Sequence, residues 1–188
     1  MANYTRNAII QVFIGQLECR SLDKITVKDI IEEAGINRNT FYYHFKDIYD
    51  LIDKIFEEEL QKNLTEFRED SAFYEEYKKA ATIFLEHRKA ILHMVNSRSR
   101  NVVYEYISQI TSIYVEKFVR KHAMEYKISE EGIKFITSFY CSAINANAMR
   151  WVQDGMPGCR DEFLEIVSSS FEKTIDNMIE NYIEFENK

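Results

Sequence analysis

The chain has 188 residues, enough to bury a sizeable core, and one proline with five glycines leaves little to punctuate strands, so an all-α fold is expected. Net charge is −7 with an isoelectric point near 5.2, which taken whole argues against nucleic acid; yet residues 1–46 carry six Lys/Arg against five Asp/Glu, net +1, and the other 142 carry −8. With no 18-residue apolar run, no basic-then-apolar leader, and Cys19, Cys141 and Cys159 at no metal or redox spacing, a cytoplasmic protein with reduced thiols is expected, neither membrane-spanning nor secreted.

A first helix is predicted from Asn3 to Arg20, its inward face formed by Ile9, Ile10, Phe13, Ile14 and Leu17. Ser21 to Ile25 is a connecting turn. Thr26 with Asp29 then reads as a capping-box-like start, and Val27, Ile30, Ile31 and Ala34 follow at helical spacing. Gly35 stands where a left-handed residue stops a helix at little steric cost. Asn37 is a good N-cap for a second short helix, Arg38 to His44, which carries Phe41 and Phe45 four residues apart on one side. Two short helices joined by a Gly-containing turn form the supersecondary pattern of a DNA reader.

A long helix is predicted from about Ile48 to Arg68, buried along Leu51, Ile52, Ile55, Phe56 and Leu60. The body begins near Ser71, with helices over Phe73–Leu85 and Lys89–Asn96, a loop-like polar stretch at Ser97–Asn101, and a long helix from Val102 to His122. Ser129 opens a helix that runs to about Asp154 and is closed by Gly155-Met156-Pro157-Gly158. A final helix runs from Arg160 to about Phe185, with Phe163, Val167, Phe171, Ile175 and Met178 three or four residues apart. No internal repeat or low-complexity segment interrupts the series.

The run Ala34-Gly35-Ile36-Asn37-Arg38-Asn39-Thr40-Phe41-Tyr42-Tyr43-His44-Phe45-Lys46 closely resembles the recognition region of the TetR family of bacterial transcriptional regulators. The detailed match covers roughly residues 8 to 55. The resemblance implies a three-helix DNA-binding head and a larger helical body for ligand binding and dimerisation, about nine helices in all, with domains at 1–47 and 48–188. It also implies a homodimer in which the terminal helix pair meets its copy, here through Phe163, Val167, Phe171, Ile175 and Met178, and a repressor released from a pseudo-palindromic operator by a small-molecule effector. The ending Trp151 to Pro157 resembles the C-terminal domains of a branch that includes regulators linked to dihydroxyacetone kinase operons. Some members there act as coactivators with a protein partner, so a TetR-shaped adaptor working through another protein, with weak or no DNA binding, is the alternative reading.

Candidate site residues follow from chemistry and from the resemblance together. Arg38, Asn39 and Tyr43 are candidates for base edges, since Arg pairs with guanine and Asn with adenine in the major groove. Thr26, Thr40, Tyr42, His44 and Lys46 match family positions that mostly contact phosphates. Ile48 departs from the pattern, standing where the family commonly has a phosphate-reaching Lys, and Lys46 is the nearest substitute. Expected effector-pocket residues are Phe84, Tyr106, Ile110, Tyr114, Phe118, Tyr140, Asn147 and Trp151, aromatic and apolar with few polar groups. His87 and His93 share no helical face, and no phosphate loop or metal-binding spacing occurs, so no enzyme, cofactor or metal site is expected.

Overall fold

A computed structural model describes residues 2–68, 71–97, 100–157 and 160–187, and every regular element among them is helical. The order is α1 (Ala2–Cys19), one 3-10 turn (Leu22–Lys24), α2 (Val27–Ala34), α3 (Arg38–His44), α4 (Ile48–Glu66), α5 (Phe73–Glu86), α6 (Arg88–Val95), α7 (Arg100–Ala123), α8 (Glu130–Gln153) and α9 (Arg160–Glu186). Each expected helix is present. Of the polar stretch expected as a loop, Arg100 and Asn101 already belong to α7, while Arg98 and Ser99 lie outside the described residues, as do Gly158 and Cys159.

The chain forms two compact units. The first comprises residues 1–66 and 84–106, so the boundary expected at 47/48 falls inside it; the second comprises 67–83 and 107–188.

In the first unit, Ile9, Phe13, Leu17, Ile30, Phe41, Phe45, Leu51 and Ile52 are all at most 2 % exposed and supply the core. A polar clamp joins α1 to α2, for Gln16 donates to Glu33 at 2.6 Å and accepts from Arg20 at 3.0 Å. Thr26 and Asp29 make the full capping box: the Asp29 amide donates to Thr26 Oγ1 at 3.2 Å, and the Thr26 amide donates to the Asp29 carboxylate at 2.9 Å. Gly35 ends α2 with φ 64°, where a Cβ would be strained. α6 packs along α1, and His93 Nδ1 lies 2.5 Å from the Leu17 carbonyl oxygen. This α1 to α6 packing is why the unit extends beyond the head read from the sequence.

The second unit is an aromatic-rich helical core. Phe73 meets Tyr77, Phe118 and Phe171 at ring-centroid distances of 5.5, 5.2 and 4.6 Å, and Phe171 also meets Tyr140 at 4.7 Å. Ser129 caps α8 by accepting from the Gly132 amide at 3.0 Å. The chain leaves α8 through Gly155, φ 82°, and Met156, φ 54°, a non-glycine held in the left-handed region with its side chain buried.

Two stability effects follow from these local geometries. A Cβ on Gly132 would stand 2.7 Å from Ile128 Cγ1 and 2.7 Å from Tyr182 Cε1. Gly132→Ala is therefore expected to destabilise the protein by about 1–2 kcal/mol, overpacking outweighing alanine's better helix propensity; an unchanged or raised urea midpoint would refute this. Separately, the Thr26 hydrogen bonds hold the Asp29 carboxyl below its ordinary value of 3.8. A lowered folded value contributes stability that is present above the ordinary value and lost as pH falls through the folded one. Below about pH 4 the native protein should lose Tm more steeply than its Asp29→Asn variant, as calorimetry across acid pH would show.

Candidate nucleic-acid interface

α3 has seven residues, too few to persist alone, so its place depends on what it is pinned to. On its inner side Phe41 and Phe45 are 0 % and 1 % exposed, with ring centroids 5.8 Å apart. At its start the Asn37 side-chain oxygen accepts from the Thr40 amide at 2.9 Å and from the Thr40 hydroxyl at 3.0 Å. With that side buried, Arg38, Asn39, Tyr42, Tyr43 and Lys46 are left exposed, and Thr40 and His44 half-buried. Arg38 donates to the Tyr42 hydroxyl at 3.2 Å and lies over the Tyr42 ring, so the two side chains steady one another.

Thr26 is exposed at the start of α2, but its hydroxyl already accepts from Asp29 N and donates to the Asp29 carboxylate at 2.7 Å. Its hydrogen-bonding is used inside the cap. The remaining expected residues Arg38, Asn39, Thr40, Tyr42, Tyr43, His44 and Lys46 come from one short helix and the residue following its cap.

Sequence reasoning missed the residues that hold the far end of α3. Lys54, one and a half turns into α4, donates to the His44 carbonyl oxygen at 2.9 Å and to Asp50 at 3.0 Å, with its ammonium 5.3 Å from the Phe45 ring centroid. Asp50 also accepts from the Lys46 amide at 2.8 Å, the chief reason its carboxyl is held below the ordinary range. Arg6 covers Phe45 at 5.5 Å and pairs with Glu58. The four-residue spacing of Asp50 and Lys54 was a readable signal of a helical ion pair. That Lys54 also reaches His44 O is not, since it depends on how the chain turns between α3 and α4. Ile48 is half-buried and lines a groove with Leu22, Asp23, Ile25 and the exposed Tyr49.

Of the expected effector-pocket residues, Phe84 and Tyr106 are buried in the first unit, 5.9 Å apart by ring centroid. Ile110, Tyr114, Phe118 and Tyr140 are buried in the second. Trp151 is half-buried against Phe163, and Asn147 is exposed, donating to Ala143 O. The second unit also carries a groove of about 400 Å³ lined by Phe67, Lys117, Phe118, Arg120, Lys121 and Met124.

The α9 stripe expected at a dimer interface is divided between covered and partly open positions. Phe171 and Ile175 are buried within the protomer, Phe163 stacks on Trp151, and Val167 and Met178 are half-buried. Periodicity marks a covered face without saying which chain covers it. The outward apolar side chains of this pair are Phe135 and Phe139 on α8, 51 % and 54 % exposed, and Ile166 and Phe185 on α9. Exposed Ser142, Ala143 and Ala146 continue the Phe135 and Phe139 face at helical spacing.

Among the described residues no three His, Cys, Asp or Glu are grouped to hold a metal ion, and no helix is long and apolar enough to cross a membrane.

Comparison with known proteins accords with this geometry. Residues 9–55 match the family model described as bacterial regulatory proteins, tetR family, and residues 74–173 match one described as a transcriptional regulator C-terminal region. No curated protein matches the sequence. Among solved structures, the dihydroxyacetone kinase operon activator DhaS is similar at a TM-score of 0.72 and 18 % identity, over 94 % of this chain and 96 % of that one. A TetR transcriptional regulator from Streptococcus agalactiae 2603V is similar at 0.57 and 22 % identity, over 89 % and 95 %. With both models accounted for by one helical chain, the protein belongs to the TetR family of transcriptional regulators.

Proposed function

We propose that this regulator is a cytoplasmic homodimeric repressor that reads a pseudo-palindromic operator in double-stranded DNA and is released by a small-molecule effector. The carrying observation is the two-sided character of α3: aromatic anchors buried beneath it and donors for bases and phosphates exposed along its outer edge. Arg38, Asn39 and Tyr43 read base edges; Tyr42, His44 and Lys46 position the helix on phosphates, and the Thr26 and Thr40 hydroxyls donate to phosphate on leaving their cap partners. Tyr49, exposed beside Ile48, supplies a hydroxyl where the family's lysine is missing.

Dimerisation is supported by the outward Phe135 and Phe139 face, since exposed apolar surface continued by small side chains suits close helix approach. Two heads then meet half-sites about 34–36 Å apart. An effector releases them only by binding better to the DNA-incompatible state. An effector site in the second unit is supported by its groove of about 400 Å³, lined by Phe67, Lys117, Phe118, Arg120, Lys121 and Met124.

A second reading has its own support. DhaS is named an operon activator, the head is only +1, and the half-buried Ile48 withholds a phosphate contact. In that reading the chain is an adaptor acting through a protein partner, with little DNA affinity of its own.

Point variants on a DNA duplex selected by the protein separate these roles. Arg38→Ala should cost about 1–3 kcal/mol and relax sequence preference, whereas Lys46→Ala should weaken binding to all sequences alike and lower the salt slope by roughly one. Equal loss on cognate and scrambled duplexes from Arg38→Ala would remove its base-reading role. Phe139→Asp should shift the protein toward monomer in sedimentation and reduce operator affinity; an unaltered dimer would place the interface elsewhere.

A further inference from the structure

The groove of the second unit has a chemistry that the family assignment does not supply. Its floor is aromatic: Phe67 meets Tyr114 at 5.4 Å and Phe118 edge-on at 6.1 Å. Met124, 84 % exposed, forms a soft and adaptable lip. The rim is cationic, with the Lys117 ammonium 3.9 Å from the Phe67 ring centroid and that of Lys121 5.9 Å from that of Phe118.

Structural duties account for most of the neighbouring positive charge. Arg120, Lys121 and His122 fill the last turn of α7 and offset its negative end. Arg120 is held by Glu116 and Glu130, and His122 by Asp176 at 2.8 Å. Glu116, the acid beside Lys117 in sequence, is thereby committed to Arg120. Lys117 stands one turn earlier than the helix end requires, exposed and over an aromatic face at the groove's edge. In a chain of net charge −7, an ammonium so placed creates a local site for an anion above an apolar floor.

We propose that this groove binds a monocarboxylate with an apolar body, the tail on Phe67, Phe118 and Met124 and the carboxylate at Lys117; as the effector site it rests on the ligand-released reading above. A groove of about 400 Å³ is within the range of small-molecule sites, and decanoate, an acid with an extended apolar tail, is a suitable probe.

The test is calorimetric titration of the full-length protein with decanoate, with decanol, and with decanoate on Lys117→Gln, an exposed substitution that leaves the core intact. Saturable decanoate binding at one site per chain, at least about tenfold tighter than decanol and reduced to the decanol level by Lys117→Gln, is expected. Equal binding of decanol, an unaffected Lys117→Gln variant, or no saturable decanoate binding overturns the proposal. Operator release is read separately. Lys117-dependent decanoate binding that leaves DNA bound upholds the site and refutes its effector role, whereas release by other compounds without decanoate binding refutes the site and upholds ligand release.

Discussion

The burial of Phe41 and Phe45 beneath α3 is the constraint on which the DNA-reading account depends. A seven-residue helix lacks the internal hydrogen bonds to hold itself in water, and two fully buried aromatic side chains supply roughly 1.5–3 kcal/mol each toward fixing it. Their four-residue spacing also determines orientation: with both turned inward, Arg38, Asn39, Tyr42 and Tyr43 are turned outward as a set. The end contacts complete the placement, Asn37 at the start and Lys54 with Asp50 at the finish. Lys54 reaches the His44 carbonyl and Asp50 from α4 and so fixes the end of the helix.

The same physics sets where the first unit ends. α1 is covered on one side by α2 and on another by α6, with the Leu17 carbonyl, near the end of α1, met by His93. The head is therefore part of a larger compact unit, and an element from the middle of the chain contributes to the packing of α1.

Much of this was legible from local chemistry. Thr26 with Asp29, Gly35 and Asn37 announced helix starts and a stop because each acts on backbone groups within a few residues of itself, and the structure contains the corresponding cap bonds. Contacts at long sequence separation were not legible. Nothing in the spacing of α9 tells Phe171 that its neighbours will be Phe73 and Tyr140 of its own chain, so an amphipathic stripe by itself does not say which of its residues are left for a second protomer. Aromatic richness in the body likewise could not say which rings are core and which floor a groove; Phe67, next to the end of α4, and Lys117 were not anticipated as neighbours.

In the proposed dimer the outer edge of α3, presented twice, reads DNA. Selection of bound fragments from genomic DNA by the purified protein at about 0.1 M salt, repeated at higher salt to screen the phosphate contribution, tests it most directly. A pseudo-palindrome whose half-sites lie about one duplex turn apart is expected, with fewer non-specific fragments at the higher salt. No enriched sequence at either salt would contradict it and leave the fold serving a protein partner instead.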